Sequence, residues 1–182
     1  MTTEDESGRA HRTDPGDPGD PTGPTDLDVA AAVRPAAPAD AATVATLLHE
    51  FNAEYGTPTP GVGVLTARLQ GLLAGPSTLA VLAGEPAVGL ALVTLRPSVW
   101  YDGPVATLDE LYVAPDRRGR GLGARLLAAV EQQVRRRGAA LVEVNVDGDG
   151  GGAPRFYERH GYRNTEIDDD VPLLYYFREL ES

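Results

Sequence analysis

Two stretches in the first half of the chain carry apolar residues at the three- and four-residue spacing of amphipathic helices. The core face of the first is formed by Val44, Leu47, Leu48, Phe51 and Tyr55. Asp40 is placed to cap this helix, and the run Gly56-Thr57-Pro58-Thr59-Pro60 ends it. The core face of the second is formed by Leu65, Leu69, Leu72 and Leu73. Gly75-Pro76 ends this second helix, so the pattern predicts a helical pair.

Short apolar runs bounded by glycine and proline predict strands. The first four of these runs cover residues 28–34, 78–83, 87–95 and 105–113. Pro35 should stop the first strand, because proline cannot donate a hydrogen bond to a neighbouring strand. The second and third strands are joined by Gly84-Glu85-Pro86, a hairpin-length turn, and we expect them to pair antiparallel.

The second half of the chain begins with a long helix predicted over residues 122–137 and stopped by Gly138. Its buried stripe is Leu122, Leu126, Val130 and Val134. A fifth strand over residues 140–146 should run parallel to the fourth, because a helical crossover joins them. A short helix over residues 153–160 and a last strand over residues 173–177 follow. The pattern predicts a single α/β domain with a mixed sheet of six or seven strands and about four flanking helices.

The N-terminal segment has a different composition from the rest of the chain. Residues 1–26 alternate proline, glycine, aspartate and threonine and hold almost no apolar side chain. Such a segment cannot bury enough surface to offset the entropy of ordering, so we predict a disordered tail before a domain over residues 27–182. With 182 residues, of which 42% are hydrophobic, one domain of ordinary size is expected.

Composition and charge exclude several classes of chemistry. The chain has no cysteine, which rules out disulfides, thiolate zinc sites and cysteine nucleophiles. His49 and His160 lack partners at metal-ligand spacing, so no metal is expected. The net charge of −11 argues against nucleic-acid binding, because neutralising phosphates requires a basic surface. No basic leader or run of roughly 18 apolar residues is present, so we expect a cytoplasmic protein without membrane contact.

The junction between the fourth strand and the long helix predicts an anion-binding turn. The run Arg117-Arg118-Gly119-Arg120-Gly121-Leu122-Gly123 combines three glycines, three arginines and a helix N-terminus, all of which favour a bound anion. No Lys-Ser or Lys-Thr pair follows the last glycine, which excludes a nucleoside-triphosphate loop. The glycine spacing also differs from that of dinucleotide-binding turns.

The same junction resembles motif A of the GNAT superfamily of acyl-CoA-dependent N-acyltransferases. The resemblance lies in the L-x-x-L-x-V-x-P pattern that begins at Leu108 and the R-x-x-G-x-G pattern that begins at Arg118. Phe156-Tyr157-Glu158, followed by Gly161-Tyr162, also resembles a signature of that family. The order and length of the elements between residues 28 and 180 match its fold. The resemblance implies acetyl-CoA as co-substrate.

The resemblance also implies a set of cofactor-binding residues. The pyrophosphate would sit on the turn formed by Arg118, Gly119, Arg120, Gly121, Leu122 and Gly123. The pantetheine arm would pair with the backbone of Leu111, Tyr112 and Val113, and one of their N–H groups would polarise the thioester carbonyl. Gly150 stands where many relatives place an asparagine that binds the cofactor arm, so Asn145 or loop backbone would supply that contact.

Tyr157, Asp109 and Glu110 are the candidate catalytic residues. By resemblance Tyr157 is the acid that protonates the departing thiolate, and a phenol pKa of about 10 suits that exchange. Leu108-Asp109-Glu110-Leu111-Tyr112-Val113 resembles the L-E-D-F-F-V segment of diamine N-acetyltransferases, whose acidic pair binds and deprotonates the amine. Adjacent strand residues point to opposite faces, so only one carboxylate can face the acceptor unless a bulge twists the strand. A carboxylate of ordinary pKa would need a water chain or a raised pKa to act as base, and both could instead be solvent-facing or ion-paired acids.

The acceptor site is predicted by fold analogy alone. Phe51 and Tyr55 of the first helix, with neighbouring Asn52 and Glu54, and Trp100 before the fourth strand are its candidate residues. Packing in the core is the alternative for Phe51 and Trp100.

Together these features predict an acetyl-CoA-dependent N-acetyltransferase that acts by direct attack of a primary amine in a ternary complex. The expected acceptor is a small cationic amine. A protein lysine or N-terminal amino group is the alternative acceptor, and a non-catalytic acyl-CoA-binding module of the same fold is the alternative function. A homodimer is possible.

Overall fold

One mixed sheet of five strands organises the chain, in the order β1-β2-β3-β4-β5. The computed structural model describes residues 32–146, 152–166, 170–176 and 178. The strands are β1 (Val33–Pro35), β2 (Thr78–Ala83), β3 (Gly89–Arg96), β4 (Val105–Val113) and β5 (Leu141–Val144). Strands β1 to β4 pair antiparallel with their neighbours, and β5 runs parallel to β4.

Helices cover both faces of the sheet. They are α1 (Ala41–Glu54), α2 (Val62–Ala74), α3 (Leu122–Arg136) and α4 (Ala153–Arg159), with short 3₁₀ turns at Pro38–Asp40 and Pro115–Arg117. Helices α1 and α2 pack on one face with Leu82, Leu90 and Tyr112 of the strands. Helix α3 packs on the other face with Val81, Val93 and Leu108. We call these the α1 face and the α3 face.

The structure confirms the fold class and most predicted elements. Leu122, Leu126, Val130 and Val134 are all buried along α3. Gly138 follows this helix with φ of 77°, a conformation that glycine adopts without steric cost. β5 is parallel to β4, as the helical crossover predicts.

The number of strands was wrong, because the predicted last strand does not form over its described residues, 173–176. Sheet pairing in this described stretch is limited to one isolated bridge between Thr165 and Pro172. The N–H of Leu173 donates to the carbonyl of Asn164 at 2.6 Å, but Pro172 cannot donate to a ladder. The apolar side chains that follow Pro172 remain exposed, so burial does not favour a strand there. Phe177 lies outside the described residues.

Several element boundaries also differ from the predictions. β1 begins at Val33 within the described residues and includes Pro35, which an edge strand tolerates. β3 begins at Gly89 rather than residue 87, so the turn after β2 is longer than a tight hairpin. β5 spans only Leu141–Val144. Leu72, assigned to the core face of the second helix, is half exposed.

Asp40 precedes α1 as predicted, but its carboxylate does not cap that helix. It accepts two hydrogen bonds of 2.8 Å from the guanidinium of Arg34 and one of 2.7 Å from the N–H of Ala37. These hydrogen bonds, the one from Arg34 first, lower the pKa of Asp40 to about 2. The carboxylate therefore joins β1 to the start of α1.

The predicted tail, residues 1–26, lies outside the described residues. No helix within the described part of the chain is long and apolar enough to cross a membrane.

Candidate active site

Strand β4 loses its β5 partner halfway along its length. The parallel ladder joins Val105–Leu108 to Leu141–Val144 and then ends, whereas β4 stays paired with β3 up to Val113. The N–H of Ala114 donates to the carbonyl of Val88 at 2.9 Å, on the β3 side. Because backbone groups alternate in direction along a strand, those of Leu111 and Val113 point to the side that β5 has left.

A cleft of about 550 Å³ lies beside this open edge of β4. It is bounded by the end of β4, the turn that follows, the start of α3 and helix α4. Its lining residues are Leu111, Val113, Arg117, Arg118, Gly119, Gly121, Leu122, Gly123, Ala124, Gly152, Ala153, Phe156, Tyr157, Arg159 and His160. The open strand edge and the predicted anion-binding turn therefore share one cavity.

The turn after β4 depends on two glycines with left-handed backbone. Gly119 and Gly121 both have φ of 76°, which L-residues with a side chain rarely adopt. A Cβ at either position would meet no heavy atom within 4 Å, so the space beside the turn is open. Gly121 caps α3, whose first N–H groups have no partner within the helix. The turn thus presents backbone donors and the positive end of a helix dipole to the cleft.

Arg118 lines the cleft, but its guanidinium is already paired. Its two terminal nitrogens donate to the two carboxylate oxygens of Glu54 at 2.7 and 2.6 Å. Its Nε donates to the carbonyl of Val113 at 2.9 Å. The structure thus shows this side chain with a partner on α1, 64 residues away in sequence.

Strand β4 contains a bulge at its adjacent carboxylates. Leu92 of β3 lies opposite Glu110, whereas the next residue, Val93, lies opposite Leu108. Asp109 is therefore an extra residue on β4. A bulge of this kind interrupts the alternation of side chains between the two faces of a sheet.

The bulge turns both carboxylates to the α1 face, so they do not point to opposite faces as regular alternation would predict. Leu108 packs on the α3 face. Asp109 accepts a hydrogen bond of 2.6 Å from the hydroxyl of Thr94. Glu110 lies opposite Leu92, which packs against the core of the α1 face. The bulge that allows both acids to approach one acceptor is therefore present.

Desolvation changes the proton affinity of both carboxylates, although Asp109 is the more exposed of the two. Desolvation, with a further contribution from the charge of Asp109, raises the pKa of Glu110 to about 7. Desolvation also raises the pKa of Asp109, and the hydrogen bond from Thr94 partly opposes that rise. Glu110 is therefore the better proton acceptor of the two near neutral pH.

Tyr157 on α4 packs against the core of the α3 face and lines the cleft. Its ring lies 5.1 Å from that of Phe156 and 5.6 Å from that of Tyr162. Desolvation and the charge of Glu110 raise the pKa of Tyr157 to about 12. The charge of Glu110 thus acts on Tyr157 across the open edge of β4, although the two side chains come from different faces.

The other predicted site residues lie in different surroundings. Phe51 is half-buried, 5.3 Å from the ring of Tyr112 and 5.4 Å from that of Tyr55. Tyr112 is buried in the α1-face core, and by the same alternation its backbone groups face β3, so it is not among the described cleft-lining residues. Trp100 is 87% exposed in the loop before β4, which excludes core packing. Asn145 is exposed just after β5 and is absent from the described cleft lining.

Sequence patterns missed several residues at the site. Arg159 and His160 line the cleft. Their closeness in sequence to Tyr157 could have indicated this position. Thr94 holds Asp109 across the β3–β4 pair, which only the strand register reveals. Gly150, where many relatives carry asparagine, lies outside the described residues.

Comparison with known proteins finds a family match over the part of the chain that forms this site. The model of the acetyltransferase (GNAT) family matches residues 45–162. That span includes the bulge, the glycine turn, the open edge of β4 and the helix that carries Tyr157.

The chain is similar to solved structures, among them one that covers most of its length. It is 58% identical to a "putative acetyltransferase" from Arthrobacter sp. FB24, with a TM-score of 0.78, and the match covers 82% of this chain and 96% of that one.

Two curated relatives match shorter segments. "Uncharacterized N-acetyltransferase MJ1207" of Methanocaldococcus jannaschii is 38% identical over 63 residues, which are 35% of this chain and 28% of that protein. The aminoalkylphosphonate N-acetyltransferase of Salmonella typhimurium is 33% identical over 89 residues, which are 49% of this chain and 57% of that protein. The matches thus span less than two thirds of either relative.

Glu110→Gln is expected to change how stability depends on pH. The pKa of Glu110 is about 7 in the folded chain against an ordinary value of 4.5, so the folded state holds more protons than the unfolded state between these values. The free energy of unfolding of the wild type should therefore fall as pH rises through this window, and the fall should be smaller in Glu110→Gln, in which only the raised pKa of Asp109 contributes to it. Urea unfolding at about pH 5 and about pH 8 measures the difference.

Titration of Asp40 does not contribute to the difference in stability between about pH 5 and about pH 8. Its pKa is lowered to about 2, so its contribution to stability is lost only as pH falls below its ordinary value of 3.8. An identical pH dependence in wild type and variant would contradict the raised pKa of Glu110.

Proposed function

The chain belongs to the acetyltransferase (GNAT) family, and from that premise we propose that it transfers an acetyl group from acetyl-CoA to a small cationic primary amine. The observation that carries the proposal is the common cleft. It joins the open edge of β4, the glycine turn and Tyr157 in one cavity. A thioester with a phosphate-bearing arm requires those three elements together.

The glycine turn fits a pyrophosphate. Gly119, Gly121, Leu122 and Gly123 all line the cleft, and a Cβ at Gly119 or Gly121 would meet nothing within 4 Å, so there is room for an anion beside the turn. The N-terminus of α3 adds a favourable dipole, and the arginines of the turn add charge. We assign pyrophosphate binding to the backbone of residues 118–123. Arg117 and Arg118 line the cleft beside this turn, whereas the predicted Arg120 is not among the described lining residues.

The open edge of β4 fits the amide-containing arm of the cofactor. Leu111 and Val113 direct backbone groups to this edge, so they can pair with the arm as a further strand would. The carbonyl of Val113 already accepts a hydrogen bond from Arg118. Leu111, Tyr112 and Val113 were the predicted donors to the thioester carbonyl. Because Tyr112 pairs with Leu90 of β3, the N–H groups of Leu111 and Val113 suit that role better.

The proposed reaction is a direct acyl transfer. The neutral amine nitrogen attacks the thioester carbon, a C–N bond forms, and the C–S bond breaks as electrons pass to sulfur. The ammonium gives one proton to the base before attack, and the nitrogen gives up a second proton after attack, so the amide product keeps one N–H. The departing thiolate takes up one proton from the acid, and the remaining proton is released to solvent. The residues of the chain have to hold the oxyanion, receive the proton of the ammonium and supply the proton of the thiol.

Glu110 and Tyr157 are the proposed base and acid. Glu110, with a pKa of about 7, can accept a proton from the ammonium near neutral pH, either directly or through water. While Glu110 is charged it raises the pKa of Tyr157, which makes the phenol a weak acid. Protonation of Glu110 removes that charge, so Tyr157 becomes a better donor after deprotonation of the amine.

The acceptor is proposed to carry positive charge. Asp109 and Glu110 lie together on the α1 face because of the bulge, and both are partly removed from water. An ammonium between them would relieve their mutual repulsion. Asp109 would bind this charge while Glu110 accepts the proton, with Phe51, Tyr55 and Trp100 as candidate walls of the site.

The proposal is tested with a panel of amines. Purified chain and acetyl-CoA are mixed with diamines, polyamines, aminoglycosides, neutral monoamines and lysine-containing peptides, and thiol release is recorded. We expect turnover with small cationic amines. Turnover only with peptides would favour protein acetylation, and cofactor binding without thiol release would favour a non-catalytic module.

Tyr157→Phe is expected to lower kcat by about a hundredfold, within the range for loss of a general acid. The ring and its packing remain, so the affinity for CoA should change by less than about twofold. Steady-state kinetics and calorimetric titration with CoA measure the two effects. An unchanged kcat would remove the acid assignment.

Gly121→Ala is expected to weaken CoA binding by about tenfold, because its Cβ would project into the space assigned to the pyrophosphate. Gly138→Ala is the matched control. Gly138 has φ of 77° against 76° for Gly121, and neither glycine has a heavy atom within 4 Å of its Cβ position. Both variants should lose stability, by about 1–2 kcal/mol, from the same backbone strain. Equal CoA affinities in the two variants would contradict the pyrophosphate site.

A further inference from the structure

A bidentate ion pair joins the last turn of α1 to the glycine turn after β4. The terminal nitrogens of Arg118 lie 2.7 and 2.6 Å from the two oxygens of Glu54. Such fork-to-fork geometry is stronger and more directional than a single contact between exposed charges. The pair raises the pKa of Arg118 and lowers that of Glu54, chiefly through this hydrogen bonding.

The same guanidinium also contacts β4. Its Nε donates to the carbonyl of Val113 at 2.9 Å, and its central carbon lies 5.9 Å from the centre of the Tyr112 ring. Three of its five N–H groups are therefore used within the protein. One side chain thus connects the end of the cofactor-binding strand, the glycine turn and helix α1.

Helix α1 needs such a connection at its C-terminal end. Its fully buried residues end at Leu48, and Phe51 is only half-buried against Tyr112. Beyond Phe51, the last turn carries Glu54, followed by Tyr55, which is 67% exposed. Apolar burial therefore holds the first three turns of α1 more firmly than the last.

We propose that Arg118 is a positioning residue and that its pair with Glu54, the α1 clamp, sets the wall of the acceptor site relative to the thioester. This inference rests on the proposed function, because it assigns the acceptor to the α1 face. Glu54 neutralises the charge of Arg118, which leaves the backbone of the turn as the group assigned to hold the pyrophosphate. Loss of the clamp should therefore disturb the acceptor more than the cofactor.

Glu54→Gln and Arg118→Met test the clamp by kinetics. Both variants are expected to raise the KM of the best amine by about tenfold, the order of one charge-assisted hydrogen bond. The Kd for CoA should stay within about twofold of the wild type in both. Glu50→Gln is the matched control, since it removes the same charge from an exposed position one turn earlier on α1. It should leave both constants unchanged, which separates the clamp from general attraction of a cationic substrate.

The charge-exchanged double variant, Glu54→Arg with Arg118→Glu, tests whether the pair itself matters. It restores an ion pair between α1 and the turn, so the KM of the amine should return towards the wild-type value. The Nε donor to Val113 is absent from this variant, so the recovery of KM should be partial. A double variant no better than the worse single variant contradicts the clamp.

Amide hydrogen exchange gives a readout that does not require turnover. Exchange over residues 50–56 should become faster in Glu54→Gln and Arg118→Met and remain unchanged in Glu50→Gln. If the wild type releases no thiol with any amine, the proposed function fails. Amide exchange would still show whether the pair of Glu54 and Arg118 holds the end of α1. A different result would be weaker CoA binding in Arg118→Met together with unchanged KM and unchanged exchange in Glu54→Gln. That result would identify Arg118 as a phosphate ligand and overturn the inference. Unchanged KM and exchange in both variants would overturn it as well.

Discussion

The early end of the β4–β5 ladder is the constraint on which the candidate site depends. Parallel pairing stops at Leu108 and Val144, while antiparallel pairing keeps β4 extended to Val113. Backbone groups that leave a ladder still need hydrogen-bond partners. Arg118 satisfies the carbonyl of Val113, and no strand among the described residues pairs with the rest of that edge. The sheet thereby offers a strand-shaped position for a ligand beside a turn that favours anions.

The bulge at Asp109 determines which ionisable side chains lie near this open edge. It brings two carboxylates to the α1 face, where burial raises the pKa of both. On the α3 face the phenol of Tyr157 experiences the charge of Glu110. In the proposed mechanism Glu110 is the proton acceptor and Tyr157 the proton donor, on either side of the thioester. Protonation of Glu110 by the ammonium would then make Tyr157 a better donor to the thiolate.

Sequence patterns predicted the fold and most of the cleft because local rules control those parts. The periodicity of α3, the glycines after β4 and the helical crossover each depend on nearby residues. Two features could not be predicted in this way. The bulge depends on the register between β3 and β4, and the pair of Glu54 with Arg118 depends on how α1 packs. The last strand was overpredicted because apolar residues at 173–176 remain exposed, so burial does not support it.

A crystal structure with bound CoA tests the central claim most directly, because that claim concerns where one ligand lies. The pyrophosphate should accept hydrogen bonds from the backbone of residues 118–123, and the arm should pair with Leu111 and Val113 in the place that β5 leaves open. The sulfur should lie within reach of Tyr157, and Arg118 should remain on Glu54. CoA bound away from the open edge of β4, or an arm that leaves Leu111 and Val113 uncontacted, would contradict the claim.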